Sequence, residues 1–151
     1  MLKKIVGSIW RKLSPLARQK IVRVTQKKFT ASVAVIIENE SGEILLLDHV
    51  LRPDSGWGIP GGFLGYGEQP AEAVRRELIE ETGLELEKVE MIRVQAAGRH
   101  IEILFRARAN GIASVESHEI NALGWFKVDE MPEKMNQTQK SIIEKFLTKR
   151  L

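Results

Sequence analysis

Apolar positions recur along this chain with two periods, one helical and one of strands. Between residues 2 and 13, Leu2, Ile5, Ile9 and Leu13 fall three or four apart with Lys3, Lys4, Arg11 and Lys12 between them, the spacing of an amphipathic helix with a basic face. Ser14-Pro15 has the form of an N-cap followed by proline at the first helical position, so a second short helix is expected through Leu16, Ala17, Ile21 and Val24. From Ala31 to Ile37 and from Glu43 to Leu47 the chain is β-branched and aliphatic, and Asn39-Glu40-Ser41-Gly42 between them is hairpin-like. A glycine-rich loop from Gly56 to Gly67 leads into a helix that starts at Pro70, runs to Thr82 and stops at Gly83. Val89 to Ala96 and Ile101 to Ala107 then predict strands around Gly98-Arg99, and Leu123 to Val128 predicts another after an Asn110-Gly111 turn. Asn136 with Gln139 three residues later resembles a capping box opening a last helix that contains Ile142, Ile143, Phe146 and Leu147. The order is mixed α/β without internal repeats, and the one boundary expected lies near Phe29, between a leader of residues 1–29 and a domain of residues 30–151.

Composition narrows the chemistry. A chain of 151 residues suits one domain able to bury its own core. It has no cysteine, which excludes thiolate nucleophiles, cysteine-based zinc sites and a disulfide scaffold, and makes a reducing cytoplasm the default location. No apolar run approaches the roughly 20 residues of a spanning helix, and the N-terminus lacks a signal-peptide pattern. The net charge of +3 conceals an asymmetry. The first thirty residues hold nine Lys or Arg and no acid, which leaves 14 basic against 20 acidic residues from Ala31 onward. An acidic domain that handles polyphosphates must offset its own charge beside the substrate, and bound cations are the usual means.

The predicted central helix carries Glu77, Glu80 and Glu81 at i, i+3 and i+4, so three carboxylates share one face. Ala71, Val74 and Leu78 opposite them are expected to pack on the sheet and to hold the acidic face toward solvent. Oxygen-only donors of this kind suit Mg²⁺ or Mn²⁺ rather than zinc. A Glu-rich helix face can also be merely solvated, and the preceding loop decides between the two. Pro60-Gly61-Gly62-Phe63-Leu64-Gly65-Tyr66-Gly67-Glu68 allows sharp bends and close backbone approach. Joined to the helix it gives Gly62, five residues, Glu68, seven residues, then Arg76-Glu77-Leu78-Ile79-Glu80-Glu81-Thr82-Gly83-Leu84. This segment resembles the complete Nudix box, G-x5-E-x7-R-E-U-x-E-E-x-G-U with U aliphatic, at every defined position.

The resemblance implies an α/β/α sandwich around a mixed sheet and metal-dependent hydrolysis of a phosphoanhydride bond in a nucleoside-diphosphate-linked substrate. It implies Glu77, Glu80 and Glu81 as ligands of Mg²⁺ or Mn²⁺, the Gly61 carbonyl as a further ligand, Glu68 as a supporting acid of the metal site, and Arg76 as the group that orients Glu77. Ser117-His118-Glu119-Ile120, followed by Gly124-Trp125-Phe126 and Glu130-Met131-Pro132, is similar to a stretch of MutT-like Nudix proteins in which the acid is a metal ligand or general base. Glu119 is therefore the candidate there, against an ordinary loop glutamate. Arg52, just before the loop Asp54-Ser55-Gly56-Trp57-Gly58, is either a substrate-phosphate contact or a solvated loop arginine.

Trp125 and Phe126 are expected in the core, Trp57 and Phe63 beneath the box or at the pocket border, and His49, His100 and His118 at the surface or satisfied. The region some sixteen residues past the box, Ala97-Gly98-Arg99-His100-Ile101, lacks the proline of ADP-ribose hydrolases and the tyrosine of diadenosine-polyphosphate hydrolases. A nucleoside triphosphate or related small molecule stays as the broad expectation, and a non-catalytic nucleotide-binding regulator is the rival that the intact box acids disfavour. The basic leader resembles the N-terminal segment of some bacterial Nudix proteins. It leaves open packing on the domain, a homodimer, an anionic membrane surface, an RNA contact and a presequence.

Overall fold

The computed structural model describes residues 2–52 and 55–147; Pro53 and Asp54, the latter part of the loop named above, lie outside the described residues. Two helices open the chain, α1 (Leu2–Lys12) and α2 (Pro15–Thr25). Ser14 caps α2, its Oγ accepting from the Ala17 amide at 3.2 Å, as Ser14-Pro15 predicts. The strands are β1 (Thr30–Ile37), β2 (Ile44–His49), β3 (Trp57–Gly58), β4 (Gly61–Phe63), β5 (Glu85–Ala97), β6 (His100–Asn110) and β7 (Ile120–Phe126). The remaining helices are α3 (Pro70–Thr82) and α4 (Gln137–Leu147).

The strands form two sheets, ordered β4-β1-β6-β5 and β3-β2-β7. β1 runs parallel to β6 and antiparallel to β4, while β5 pairs antiparallel with β6. The turn at Asn39 passes the chain from one sheet into the other, with Asn39 Oδ1 accepting from the Glu43 amide at 2.9 Å.

Alternation along β1 and β2 explains the layering. Val33, Val35, Ile37, Leu45 and Leu47 belong to one buried cluster with Val74 and Leu78 of α3. Ala34, Ile36, Ile44 and Leu46 belong to a second with Ile142 and Ile143 of α4. Strands covered on both faces read as continuous apolar runs, and these two do. The product is the expected α/β/α sandwich with a mixed sheet.

Several boundaries differ from expectation for identifiable reasons. The Gly56–Gly67 stretch holds two short strands that pair with β2 and β1; glycine concealed them because it satisfies ladder geometry while signalling a loop. β5 begins at Glu85, four residues earlier than predicted, with Leu84 and Leu86 buried and Glu85 and Glu87 exposed. The last strand starts at Ile120, and Val128 falls in a 3₁₀ turn. Asn136 Oδ1 accepts from the Thr138 and Gln139 amides, but the Gln139 side chain does not return to close a box: its Oε1 accepts from the Ile59 amide at 3.2 Å.

On α3 the packing face is Ala73, Val74, Leu78, Glu81 and Thr82, and Ala71 is exposed. The expectation that the acidic face looks to solvent is therefore corrected at one residue. Glu81, at i+7 from Val74, falls on the buried stripe.

Candidate active site

The loop before α3 is shaped by close approach. Gly61 has φ +153°, and a Cβ there would stand 2.2 Å from the Val33 carbonyl oxygen, so the strand β4 can lie against β1 only with glycine at this position. A Cβ on Gly62 would stand 2.3–2.5 Å from all three carboxylate atoms of Glu77. The bare backbone at Gly62 thus makes the space in which the Glu77 carboxylate sits.

Arg76 organises the acids around it. Its Nε and Nη2 donate to Glu68 Oε1 and Oε2 at 2.8 and 3.0 Å, and its Nη1 donates to Glu77 Oε1 at 2.9 Å and to Glu80 Oε2 at 3.2 Å. The Gly65 amide also donates to Glu68 Oε2 at 2.8 Å, so Glu68 ties the loop to the helix. The fork to a carboxylate is the strong bidentate form of this pair. It raises Arg76 above its ordinary value, and together with the Gly65 amide lowers Glu68 below the usual carboxylate range. Glu80 is mostly exposed, at 57 % of its side chain.

Glu81 differs from its neighbours. It is 6 % exposed, and burial first, then the Glu77 charge, push its carboxyl up to about 8. A hydrogen bond from the Gly61 backbone and the Arg52 charge work the other way, and Glu119 adds to the rise. Its Oε2 is buried without a partner.

His49 Nδ1 lies 3.7 Å from Glu81 Oε1, but burial, helped by Arg52, brings the imidazole down to about 4. Between those two values both groups are neutral, so the contact is not an ion pair. His49 is not at the surface: it is half-buried, with 11 % of its side chain exposed, and its buried Nε2 has no hydrogen-bond partner. His100, by contrast, is satisfied, its two ring nitrogens lying 2.8 Å from Thr30 Oγ1 and Ser32 Oγ.

Arg52 is no solvated loop arginine. Its Nη2 donates to the Ile59 carbonyl at 3.0 Å, its Nη1 is buried without a partner, and a Cβ on Gly58 would fall 1.6 Å from that Nη1. Burial holds it below its ordinary value against the pull of Glu81 and Glu102. Two cavities meet at Arg52, Ile59, Glu102 and Gln139: one of about 190 Å³ beside Gly61 and Gly62, and one of about 400 Å³ toward α4, walled by Trp57, Leu104 and Ile142. Trp57 stacks edge-on to Phe126 at 5.2 Å.

Glu119 is exposed on the loop before β7. Its carbonyl accepts from the Val50 amide at 2.8 Å, and the same loop returns to the end of α3, where the Glu116 amide donates to the Glu81 carbonyl at 3.2 Å. These bonds bring the Glu119 segment alongside His49 and Glu81.

The donor set fits a hard divalent cation. It is all oxygen, it carries surplus negative charge, and its innermost member has an unpartnered buried oxygen. Among the described residues no three acidic or histidine side chains are gathered tightly enough to hold an ion as they stand, because Arg76 draws Glu77 and Glu80 toward itself while Glu81 leans to His49. Sequence reasoning named Glu68, Arg76, Glu77, Glu80, Glu81, Gly61, Glu119 and Arg52. It missed His49, Glu102 and Gln139, which alternation in β2 and β6 and the first turn of α4 place at the same centre.

A family model described as the NUDIX domain matches residues 28–146. A MutT-like protein of Streptomyces ambofaciens is 34% identical over 109 residues, 70% of this chain and 69% of that protein. An RNA pyrophosphohydrolase of Cereibacter sphaeroides is 38% identical over 60 residues, 40% of this chain and 37% of that protein, so the likeness spans little more than a third of that relative. The crystal structure of a MutT NUDIX hydrolase from Burkholderia pseudomallei superposes with a TM-score of 0.68 at 28% identity, covering 78% of this chain and 98% of that one. The chain belongs to the Nudix hydrolase family and is an enzyme that hydrolyses acid anhydrides.

The Glu81 carboxyl makes the metal-free fold sensitive to pH. Its folded value lies above its unfolded one, so its contribution to stability is complete below the usual carboxylate range and is lost as pH rises toward about 8. Glu81→Gln, which cannot ionise, is expected to melt with wild type in chelator at about pH 4 and to lead it by roughly several degrees near pH 8. Melting temperatures followed by circular dichroism check this; a gap that does not widen with pH would contradict it.

Proposed function

We propose that the chain hydrolyses the pyrophosphate bond of a nucleoside-diphosphate-linked small molecule, such as a nucleoside triphosphate, with Mg²⁺ or Mn²⁺ held by Glu77, Glu80, Glu81 and the Gly61 carbonyl. The observation that carries this reading is the buried, partly unpartnered carboxyl of Glu81, held within reach of the Glu77 and Arg52 charges. When bound, a divalent cation offsets charge on the pyrophosphate and lowers the pKa of an attacking water.

The chain's own residues do the rest. Arg76, clamped by Glu68, holds Glu77 in place, and Gly62 leaves the room it occupies. Arg52 has a buried free N–H to offer an anionic oxygen, and it stands where the two cavities join. The wider cavity, with Trp57, Leu104 and Ile142 as apolar walls and Glu102 and Gln139 as polar groups, has the size and mix of a small-ligand pocket and suits a nucleoside. Glu119, on the loop beside Glu81, is assigned as the base that takes a proton from water as its oxygen bonds to phosphorus and the bridging P–O bond breaks. Absence of cysteine agrees with a reducing cytoplasm as the place of action.

Phosphate release screened over nucleoside triphosphates, sugar nucleotides, dinucleotides, coenzyme A and 5′-triphosphorylated RNA tests the reading. Hydrolysis of at least one class that requires Mg²⁺ or Mn²⁺ is expected, and Glu77→Gln is expected to lower kcat by orders of magnitude with circular dichroism unchanged. A flat screen, or full turnover in that variant, would contradict the site.

Glu119→Gln separates a base from a solvated loop residue. A positioned base contributes about 10²- to 10⁴-fold, mainly in the transition state. The expected result is a fall in kcat of about 10²-fold or more with KM little changed. Equal kcat for variant and wild type at saturating Mg²⁺ would remove Glu119 from the mechanism.

A further inference from the structure

α1 sorts its side chains by chemistry around its axis. At about 100° per residue, Ile5, Val6, Ile9 and Trp10 fall within one arc of about 140°, and Lys3, Lys4, Arg11 and Lys12 occupy the other sector with Lys3 and Lys12 at its borders. Much of the apolar arc is left uncovered by the described residues: Ile5, Val6 and Ile9 are 52–57 % exposed and Trp10 38 %. Arg18 sets the corner with α2, its Nε donating to the Leu13 carbonyl at 3.0 Å and its Nη2 to the Arg11 carbonyl at 2.9 Å. Leu16, Ile21, Val22 and Val24 of α2 are exposed as well. Of the residues expected to pack on the domain or on a second subunit, Ile9, Trp10 and Ile21 are exposed and Leu13 is half-buried.

We propose that α1 and α2 dock the enzyme on an anionic lipid surface, with the apolar arc of α1 lying in the headgroup boundary and the basic residues against the headgroups. A wide apolar arc bordered by lysines, with a tryptophan at its edge, is the pattern of helices that lie in the membrane plane. Long basic side chains at the border can bury their stems while keeping the charge at the headgroups. α1 is 11 residues long, and no described helix is long and apolar enough to cross a membrane, so the contact is one of lying on the surface.

Charge selects lipid over the other occupants. Nine bases and no acid in the first thirty residues repel a second copy of the same leader, whereas an anionic surface attracts each base near it. The acidic remainder of the chain is repelled by that surface, which turns the domain outward. An RNA contact would use the basic sector and leave the apolar arc without a function.

Co-sedimentation of the full chain with vesicles tests the proposal, using mixed phosphatidylglycerol and phosphatidylcholine against phosphatidylcholine alone. Binding to the mixed vesicles, weakened by salt and absent with phosphatidylcholine alone, is expected. Ile5→Gln with Ile9→Gln keeps every charge and is expected to lower the partition at least about tenfold, with melting temperature unchanged because both side chains are exposed. Trp10→Phe is expected to abolish a fluorescence blue shift on vesicle addition that Trp57 and Trp125 cannot supply.

Four results would overturn the proposal. Wild type could stay in the supernatant with both vesicles, or the double variant could partition like wild type. Single-stranded RNA could bind where vesicles do not, or light scattering could show lipid-free association that the double variant abolishes.

Discussion

Burying one carboxyl at the packed end of a helix constrains most of what surrounds it. Val74 and Leu78, fully covered by the sheet, contribute about 1.5–3 kcal/mol each to holding α3 down, and their stripe continues into Glu81 and Thr82. Thr82 settles its hydroxyl on the Leu78 carbonyl at 2.7 Å; Glu81 has no such local partner for Oε2. An ionised carboxylate there would cost several kcal/mol, about what the two anchoring side chains supply. The group must stay protonated or be met by positive charge, and the neighbouring Glu77 raises the stakes.

The loop around Gly61 and the Arg76 hub can be understood as answers to that constraint. Gly61 brings backbone against β1 and a hydrogen bond to Glu81, Gly62 leaves space for Glu77, and Arg76 keeps Glu68, Glu77 and Glu80 from repelling one another. Arg52 supplies an unshared cationic N–H, at the seam between the small cavity beside the box and the larger one toward α4. His49, kept neutral by burial, closes the other side of Glu81 without adding charge. Three buried polar atoms around this carboxyl, Glu81 Oε2, Arg52 Nη1 and His49 Nε2, are left without a hydrogen-bond partner, so the electrostatics of the site are unfinished.

Much of this was legible before the fold was known, because glycine spacing and acid spacing report backbone geometry directly. The box residues, α3 with its Gly83 stop, and the two apolar strands were all readable from local rules. What was not readable depended on contacts made by residues far apart in the chain. The strands β3 and β4 are two and three residues long, and only their partners in β2 and β1 make them strands. Arg52 looked like a loop residue because nothing local shows Ile59, Gly58 and Gln139 closing around it. Two signals were present and unused. Glu81 is in phase with Val74 and Leu78, and Glu102 alternates onto the same face of β6 as the buried Leu104; a charged residue on a core-facing register is a marker of chemistry.

A divalent cation that completes the negative charge gathered around Glu81 would bind the folded enzyme and not the unfolded chain. Thermal unfolding with increasing Mn²⁺, compared for wild type and Glu81→Gln at one pH, tests it without a substrate. Ligands that bind only the folded state raise its stability in a saturable way, so wild type should gain melting temperature with Mn²⁺ while Glu81→Gln gains much less. Equal gains in the two proteins, or none in wild type, would contradict a cation site at Glu81.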